Sequence, residues 1–187
     1  MRLFAAVRPS PGFLDALREL QEKLRAAGAA GRWREPDGLH LTLAFIGEWP
    51  EDVTEVLPAV REPFPVTLSE LGIFPKANVL WAGTAPSEQL DRLAEQVRRN
   101  LAERGIPFDG RDFRPHITLA RKPVLPEGLS LSAIRVPPAS MTVDRVYLYR
   151  SDRGPDGMVY TVIGSSAVFP EAGCGQKKAE EDGGTEP

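Results

Sequence analysis

The chain has 187 residues, of which 42% are hydrophobic, and this length and composition predict one globular domain or two small lobes that share a core. Its 23 Lys and Arg residues against 26 Asp and Glu residues leave a net charge of −3, so a bound polyanion would need a local positive patch. The single cysteine, Cys174, excludes an intrachain disulfide and fits a reducing compartment. Residues 1–12 hold too short an apolar run for a signal peptide or a membrane span, so we expect a cytoplasmic protein without a membrane partner.

The first third of the chain is predicted to form a strand, a helix and a second strand. The apolar run Arg2–Val7 is typical of a strand. Ser10 is the expected N-cap of a helix whose leucines recur at helical spacing and which ends near Gly28. A loop over residues 29–38 then leads into the apolar, β-favouring run Leu39–Ile46.

The middle of the chain repeats this order after an insertion. A short helix over residues 51–61 and a strand over residues 66–74 are expected, followed by a turn over residues 75–78. A strand at residues 79–81 and an amphipathic helix come next, and then the β-favouring run Ile117–Leu119. The apolar face of that helix consists of Leu90, Leu93, Val97 and Leu101.

The last third is predicted to hold two strands and a tail. A Pro-rich loop over residues 122–128 precedes strands over residues 141–149 and 158–168, which a polar turn over residues 151–157 joins. Residues 170–187 are polar, charged and rich in glycine, so we predict a disordered tail after a single domain over residues 1–169.

A His-x-Thr-Leu motif occurs twice and contains the only two histidines of the chain, His40 and His116. Each histidine is followed two residues later by a threonine, Thr42 or Thr118. Residues i and i+2 of a strand point to the same face, so two such strands side by side would gather two imidazoles and two hydroxyls around one small volume. One histidine beside apolar residues is more often a core residue than a catalyst, but the pair in matching settings favours a function.

The two motifs also mark an internal repeat with an offset of 76 residues (116 − 40). The same shift aligns the first strand and helix with the second, without a gap over nearly forty residues. We therefore predict an α+β fold with largely antiparallel or mixed sheets.

Two histidines and two threonines suit acid–base chemistry at a phosphodiester. One imidazole can accept a proton while the other gives one, and the threonine hydroxyls can hold an anionic centre between them. A zinc site is disfavoured because the two histidines have no accompanying carboxylate at ligand spacing. A G-x-S-x-G nucleophile elbow, a P-loop and a G-x-G-x-x-G segment do not occur either.

Several segments carry a family resemblance: RLFAAVRP, HLTLAFIGE, GIFPKANVLWAG and FRPHITLAR. Together with the paired motifs, they resemble the 2H phosphoesterase superfamily, and within it the bacterial RNA 2′,3′-cyclic phosphodiesterases, also called 2′-5′ RNA ligases. The likeness covers about residues 2–169. It implies two pseudo-symmetric lobes, each an antiparallel sheet with helices on its outer side, around a cleft that carries both motifs.

The resemblance also implies an activity and a role for each motif residue. His40 would give a proton to the leaving ribose oxygen and His116 would activate water, while Thr42 and Thr118 would hold phosphate oxygens. The implied reaction is hydrolysis of RNA 2′,3′-cyclic phosphate ends to 2′-phosphomonoesters, without a metal or cofactor, by a protein that we expect to be a monomer. RNA ends and small cyclic nucleotides both remain possible substrates. Two alternatives stay open: ligation by the reverse reaction, and a non-catalytic module that binds RNA ends.

Two arginines and one phenylalanine are further candidates. Arg121 matches the arginine that ends the family's motif, but it lies five residues after His116, on the wrong face of a regular strand, so either a bulge or the end of the strand before Lys122 is required. Arg114 would alternate into the cleft unless Pro115 disturbs the strand. We expect an arginine on the His116 side to anchor the phosphate in one orientation. Phe4 either stacks on a nucleobase or belongs to the core.

Overall fold

The computed structural model describes residues 1–155 and 157–168, which contain two α-helices and nine strands. The helices are α1 (Pro11–Ala26) and α2 (Glu88–Glu103). The strands are β1 (Arg2–Val7), β2 (Ala30–Trp33), β3 (Leu41–Glu48), β4 (Phe64–Phe74), β5 (Val79–Thr84), β6 (His116–Val124), β7 (Ser140–Val143), β8 (Tyr147–Gly154) and β9 (Gly157–Ser165). No helix within these residues is long and apolar enough to cross a membrane.

Eight of the strands follow one antiparallel path in the order β7-β4-β5-β6-β3-β1-β8-β9, and β2 pairs with β6 beside it. The centre of the path is a single residue pair, Leu41 of β3 and Ile117 of β6. These two residues are themselves 76 positions apart (117 − 41), so the repeat axis passes through their contact. On either side lies a lobe of four strands, β3-β1-β8-β9 and β6-β5-β4-β7. This arrangement confirms the α+β fold with two pseudo-symmetric lobes.

The two faces of the sheet differ in what covers them. Both helices pack their leucine-rich sides on one face, together with Leu3, Ala5 and Val7 of β1, and form the main core. Burial of each such leucine contributes roughly 1.5–3 kcal/mol. The alternate residues of β1, Phe4 and Ala6, point to the other face, where they form a small aromatic cluster with Tyr149. The helix-free face is therefore the open side of the sheet.

Some element predictions were wrong. Residues 51–61 form only a 3₁₀ turn at Thr54–Val56, because Pro58 holds Leu57 in an extended conformation that no helix can contain. The expected strand over residues 141–149 is divided into β7 and β8, which lie in different lobes. Ser10 occupies the N-cap of α1, but its side chain makes no capping hydrogen bond.

Three predicted loops are shorter than expected. Residues 30–33 of the first loop form β2, since they pair with β6. Strand β6 itself continues to Val124, into the predicted Pro-rich loop. Strands β8 and β9 extend through most of the predicted polar turn, in a hairpin that pairs Gly154 with Gly157. The predicted tail lies outside the described residues.

Candidate active site

The two motifs meet at the centre of the sheet. Leu41 and Ile117 are fully buried in the core, so the residues that flank them point to the open face. In antiparallel pairing, the residue before Leu41 lies across from the residue after Ile117. His40 is therefore opposite Thr118, and His116 is opposite Thr42. The fold brings these four predicted residues together in one diagonal arrangement.

Each motif strand contains a bulge directly after its threonine. In β6, Thr118 pairs with Trp81 and Ala120 with Leu80, which leaves Leu119 as the extra residue. In β3, Thr42 pairs with Ala6 and Ala44 with Ala5, which leaves Leu43 as the extra residue. The two bulges are equivalent by the repeat (119 − 43 = 76). A bulge reverses the alternation of the residues beyond it, so Arg121 lies on the same face as His116.

His40 lies immediately before β3 on the aromatic cluster of the open face. Its ring centroid is 4.6 Å from Phe4, 5.0 Å from Tyr160 and 5.6 Å from Tyr149. Its Nδ1 atom is buried without a hydrogen-bond partner in the described residues. Burial, reinforced by the positive charges of Arg34, His116 and Arg121, lowers the pKa of His40 to about 3. The free protein therefore holds this imidazole neutral at pH 7.

Phe4 forms the floor beneath His40. Its ring is only 3% exposed and stacks on Tyr149 with a centroid distance of 5.0 Å. It belongs to the aromatic cluster and not to the main core. Phe4 is therefore a buried residue of the open face that lies next to His40.

His116 begins β6 and is held by a backbone carbonyl. Its Nδ1–H donates a hydrogen bond of 2.7 Å to the Arg114 oxygen, which leaves Nε2 as the free nitrogen of the neutral ring. Burial lowers the pKa of His116, the bond to Arg114 opposes that shift, and the charge of Arg111 adds to it. The Arg114 side chain is exposed, so the part of this residue that touches the site is its carbonyl.

A stacked aromatic pair supports the His116 ring. Phe74 contacts it edge-on at 4.9 Å and stacks on Trp81 at 5.1 Å. The Trp81 indole lies across Gly72, its cross-strand partner, and a Cβ atom at Gly72 would overlap the ring.

We therefore expect Gly72→Ala to lower the free energy of unfolding by about 1–3 kcal/mol, the usual cost of overpacking. Urea denaturation measures the change. Gly12→Ala is the matched control, because a Cβ at Gly12 in the first turn of α1 meets nothing within 4 Å. Equal stability of Gly72→Ala and the wild type would contradict the close approach.

Arg34 is a site residue that sequence reasoning missed. It follows β2, its guanidinium lies 5.3 Å from the centre of the Tyr160 ring, and its charge lowers the pKa of His40. Burial is the largest cause of the lowered pKa of Arg34 itself, while Tyr160 raises it and Arg121 lowers it. Arg34 lies in a predicted loop and belongs to neither His-x-Thr-Leu motif. Its position beside His40 therefore became evident only from the pairing of β2 with β6.

The orientation of Arg121 corrects one expectation. The sequence suggested that it would serve the His116 side of the cleft, since both residues belong to one strand. Because β3 and β6 are antiparallel, the chain after Thr118 runs past His40 and away from His116. Accordingly, Arg121 contributes to the lowered pKa of His40, whereas Arg111 is the arginine that lowers the pKa of His116. The positive charges of Arg34 and Arg121 thus both lie near the His40 end of the open face.

No group of three or more His, Cys, Asp or Glu side chains in residues 1–155 and 157–168 is arranged to hold a metal ion. The polar groups of the two motifs and of the neighbouring Arg34 and Arg121 are imidazoles, hydroxyls and guanidiniums. This combination can bind a phosphate anion and move protons on two sides of it.

Residues 9–155 match the family model described as the 2′-5′ RNA ligase superfamily. The chain belongs to this superfamily. Its relatives include proteins named RNA 2′,3′-cyclic phosphodiesterase. The one from Thermus thermophilus is 35% identical over 194 residues, a match that covers 92% of this chain and 93% of the relative. The one from Thermotoga maritima is 31% identical over 175 residues, which cover 87% and 93% of the two chains.

Solved structures of the superfamily share the fold. The crystal structure of TT0787 of Thermus thermophilus is 34% identical, with a TM-score of 0.71, and the match covers 91% of this chain and 100% of that one. The crystal structure of E. coli LigT complexed with 3′-AMP is 28% identical, with a TM-score of 0.70, over 90% of this chain and 98% of that one. These matches confirm the resemblance to the 2H phosphoesterases.

Proposed function

We propose that this protein hydrolyses RNA 2′,3′-cyclic phosphate ends to 2′-phosphomonoesters, with His40 and His116 as an acid–base pair. The observation that carries the proposal is the diagonal grouping of two imidazoles and two threonines around the Leu41–Ile117 pair. Relatives in the superfamily bear the name of this activity, and a LigT structure holds a nucleotide, 3′-AMP.

In the proposed reaction, a water oxygen attacks phosphorus while the bond from phosphorus to O3′ breaks. His116 accepts the proton of the water at Nε2, the nitrogen left free by the Arg114 carbonyl. His40 gives a proton to O3′, so the products are a 2′-phosphomonoester and a free 3′-hydroxyl. The Thr42 and Thr118 hydroxyls donate hydrogen bonds to the non-bridging oxygens, and the charge on those oxygens faces Arg34 and Arg121.

The assignment of the acid to His40 comes from the family resemblance and needs a change of pKa on binding. In the free protein, the pKa of about 3 leaves His40 without the proton that an acid must give. A bound phosphodiester places a negative charge beside Arg34 and Arg121, which offsets the repulsion that these cations exert on the protonated imidazole. Substrate binding therefore raises the pKa of His40, so that its imidazole becomes protonated and can serve as the acid.

The pH dependence follows from the two lowered pKa values. The reaction needs one charged and one neutral imidazole, but above pH 6.5 both rings of the free protein are neutral. We expect kcat/KM to be bell-shaped with its maximum below pH 6.5, and to fall about tenfold per pH unit above pH 7. The kcat profile should lie at higher pH, because bound phosphate raises the pKa of His40. A kcat/KM maximum above pH 7 would contradict this electrostatic account.

The direct test is an assay with an RNA oligonucleotide that ends in a 2′,3′-cyclic phosphate, in the presence of excess chelator. We expect full hydrolysis and a single product, the 2′-phosphomonoester, in the ³¹P NMR spectrum. A loss of activity in chelator that a divalent ion restores would refute metal-independent catalysis. A 3′-phosphate or a mixture of isomers would refute the fixed orientation of the substrate.

The superfamily description also names RNA ligation, which is the same chemistry in reverse. A 5′-hydroxyl would then replace water as the attacking group. Incubation of the cyclic-phosphate RNA with a concentrated 5′-hydroxyl RNA tests it, since a joined product would contain a 2′-5′ bond. Hydrolysis without joining would assign the protein to the phosphodiesterase reaction alone.

A further inference from the structure

Gln21 is a buried polar side chain behind the sheet, on the side opposite to the candidate active site. It lies on α1 and is 4% exposed. Its Nε2 donates hydrogen bonds to the Arg34 carbonyl at 2.9 Å and to the Leu119 carbonyl at 3.1 Å. Leu119 is the bulge residue of β6, and Arg34 belongs to the segment that leads into His40. Gln21 thus ties one motif strand to the approach of the other motif.

Arg98 on α2 makes the counterpart connection. Its Nε donates to the Leu43 carbonyl at 3.3 Å, and its Nη1 donates to the Arg111 carbonyl at 2.9 Å. Leu43 is the bulge residue of β3, and Arg111 belongs to the segment that leads into His116. Each helix therefore holds the bulge of one motif strand and the chain that precedes the other histidine.

The two connections do not derive from matching sequence positions of the repeat. The offset of 76 residues places Val97 at the position of Gln21 (21 + 76) and Glu22 at that of Arg98 (98 − 76). In both halves, a helix side chain thus donates to the carbonyl of a bulge residue and to a carbonyl in the segment before the other histidine, although the two side chains differ in type. The Leu119 carbonyl also accepts the Arg34 backbone N–H at 2.8 Å, so the Gln21 amide is its second donor and braces an existing contact between the two segments.

We propose that Gln21 and Arg98 are positioning residues that fix the two His-x-Thr motifs relative to each other. In-line attack requires the acid and the base to stand at a set separation across phosphorus, and small displacements are costly in rate. The motif strands β3 and β6 share only one residue pair, and the other strand pairing that joins the two repeats is that of β2 with β6, so the side chains of Gln21 and Arg98 add constraints on that separation. The catalytic part of this inference rests on the function proposed above.

The two residues should affect different kinetic constants. Gln21 lies behind Arg34 and behind the bulge that turns Arg121 into the cleft, so Gln21→Met is expected to raise KM roughly tenfold through misplaced phosphate-binding cations. Arg98 holds the segment before His116, so Arg98→Met is expected to lower kcat roughly tenfold, with a smaller change in KM. Methionine keeps an unbranched apolar stem at both positions.

The controls are substitutions at the neighbouring helix positions. Glu22→Gln and Arg99→Met change exposed side chains on the same helices and should leave kcat and KM within about twofold of the wild type. If a methionine variant fails to fold by circular dichroism, Gln21→Asn and Arg98→Lys replace it. Asn keeps the amide on a shorter side chain, and Lys keeps the charge on a single nitrogen, so neither side chain can donate to both carbonyls. Unchanged kinetics in the folded variants would overturn the proposal.

A readout without turnover separates this inference from the proposed function. The chain has only two histidines, so ¹H–¹⁵N spectra of the imidazoles at pH 6.5 contain two assignable ring systems. We expect Gln21→Met and Arg98→Met to shift imidazole resonances, and Glu22→Gln and Arg99→Met to leave them unchanged. If the two methionine variants shift these resonances but the wild-type protein does not hydrolyse a cyclic phosphate, only the proposed function is refuted. Unchanged resonances in both methionine variants would refute the positioning role, whatever the activity.

Discussion

Replacement of His40 or His116 by alanine is expected to lower kcat/KM for a 2′,3′-cyclic phosphate by roughly 10²–10⁴-fold, the usual worth of a positioned acid or base. Both imidazoles lie on the open face, outside the main core, so the variants should remain folded. Thr42→Ala and Thr118→Ala should cost less, because each removes one neutral hydrogen bond. Steady-state kinetics with circular dichroism as the folding control measures these effects. Near-full activity of both histidine variants would refute the acid–base mechanism.

A substrate with a good leaving group assigns the two histidine roles. A p-nitrophenyl phosphodiester releases a phenolate that needs no proton, so loss of the acid should matter little with this substrate. We expect His40→Ala to keep most of its activity on the p-nitrophenyl ester and His116→Ala to lose it. The opposite pattern would show that His116 is the acid and His40 the base. Equal losses would refute a division into acid and base.

Removal of either cleft guanidinium is expected to have the next largest effect. Arg34→Met and Arg121→Met should each lower kcat/KM roughly 10–100-fold, the worth of a charge-assisted hydrogen bond to phosphate. Arg18→Met, an exposed residue of α1 whose ion pair is with Asp15, serves as the control for loss of one positive charge.

The same variants test the electrostatics of His40. The charges of Arg34 and Arg121 lower its pKa, so each variant should raise that pKa in the free protein. An NMR titration of the two histidine rings should show a His40 pKa above the wild-type value of about 3 in each variant. Arginine variants with normal kcat/KM and an unmoved His40 pKa would place both guanidiniums outside the phosphate site.

The sequence by itself determined the elements that depend on local patterns. The spacing of the leucines predicted α1 and α2, and the offset between His40 and His116 predicted the repeat, while the two lobes around a cleft were implied by the family resemblance. The five-residue gap from His116 to Arg121, together with the family resemblance, called for a bulge or a strand end, and β6 contains a bulge. Local patterns failed at Pro58, where the effect of proline on the preceding residue prevents a helix, and that signal was visible in the sequence.

The tertiary structure alone decided which residues surround each imidazole. The place of Arg34 depends on the pairing of β2 with β6, and the end of the cleft that Arg121 serves depends on the antiparallel direction of β3 and β6. Likewise, Gln21 and Leu119 are 98 positions apart and meet only because α1 packs behind the other lobe's motif strand. These contacts join segments that are distant along the chain, so no local periodicity encodes them. The pKa of each histidine depends on such contacts, because burial and neighbouring charges are properties of the folded cleft.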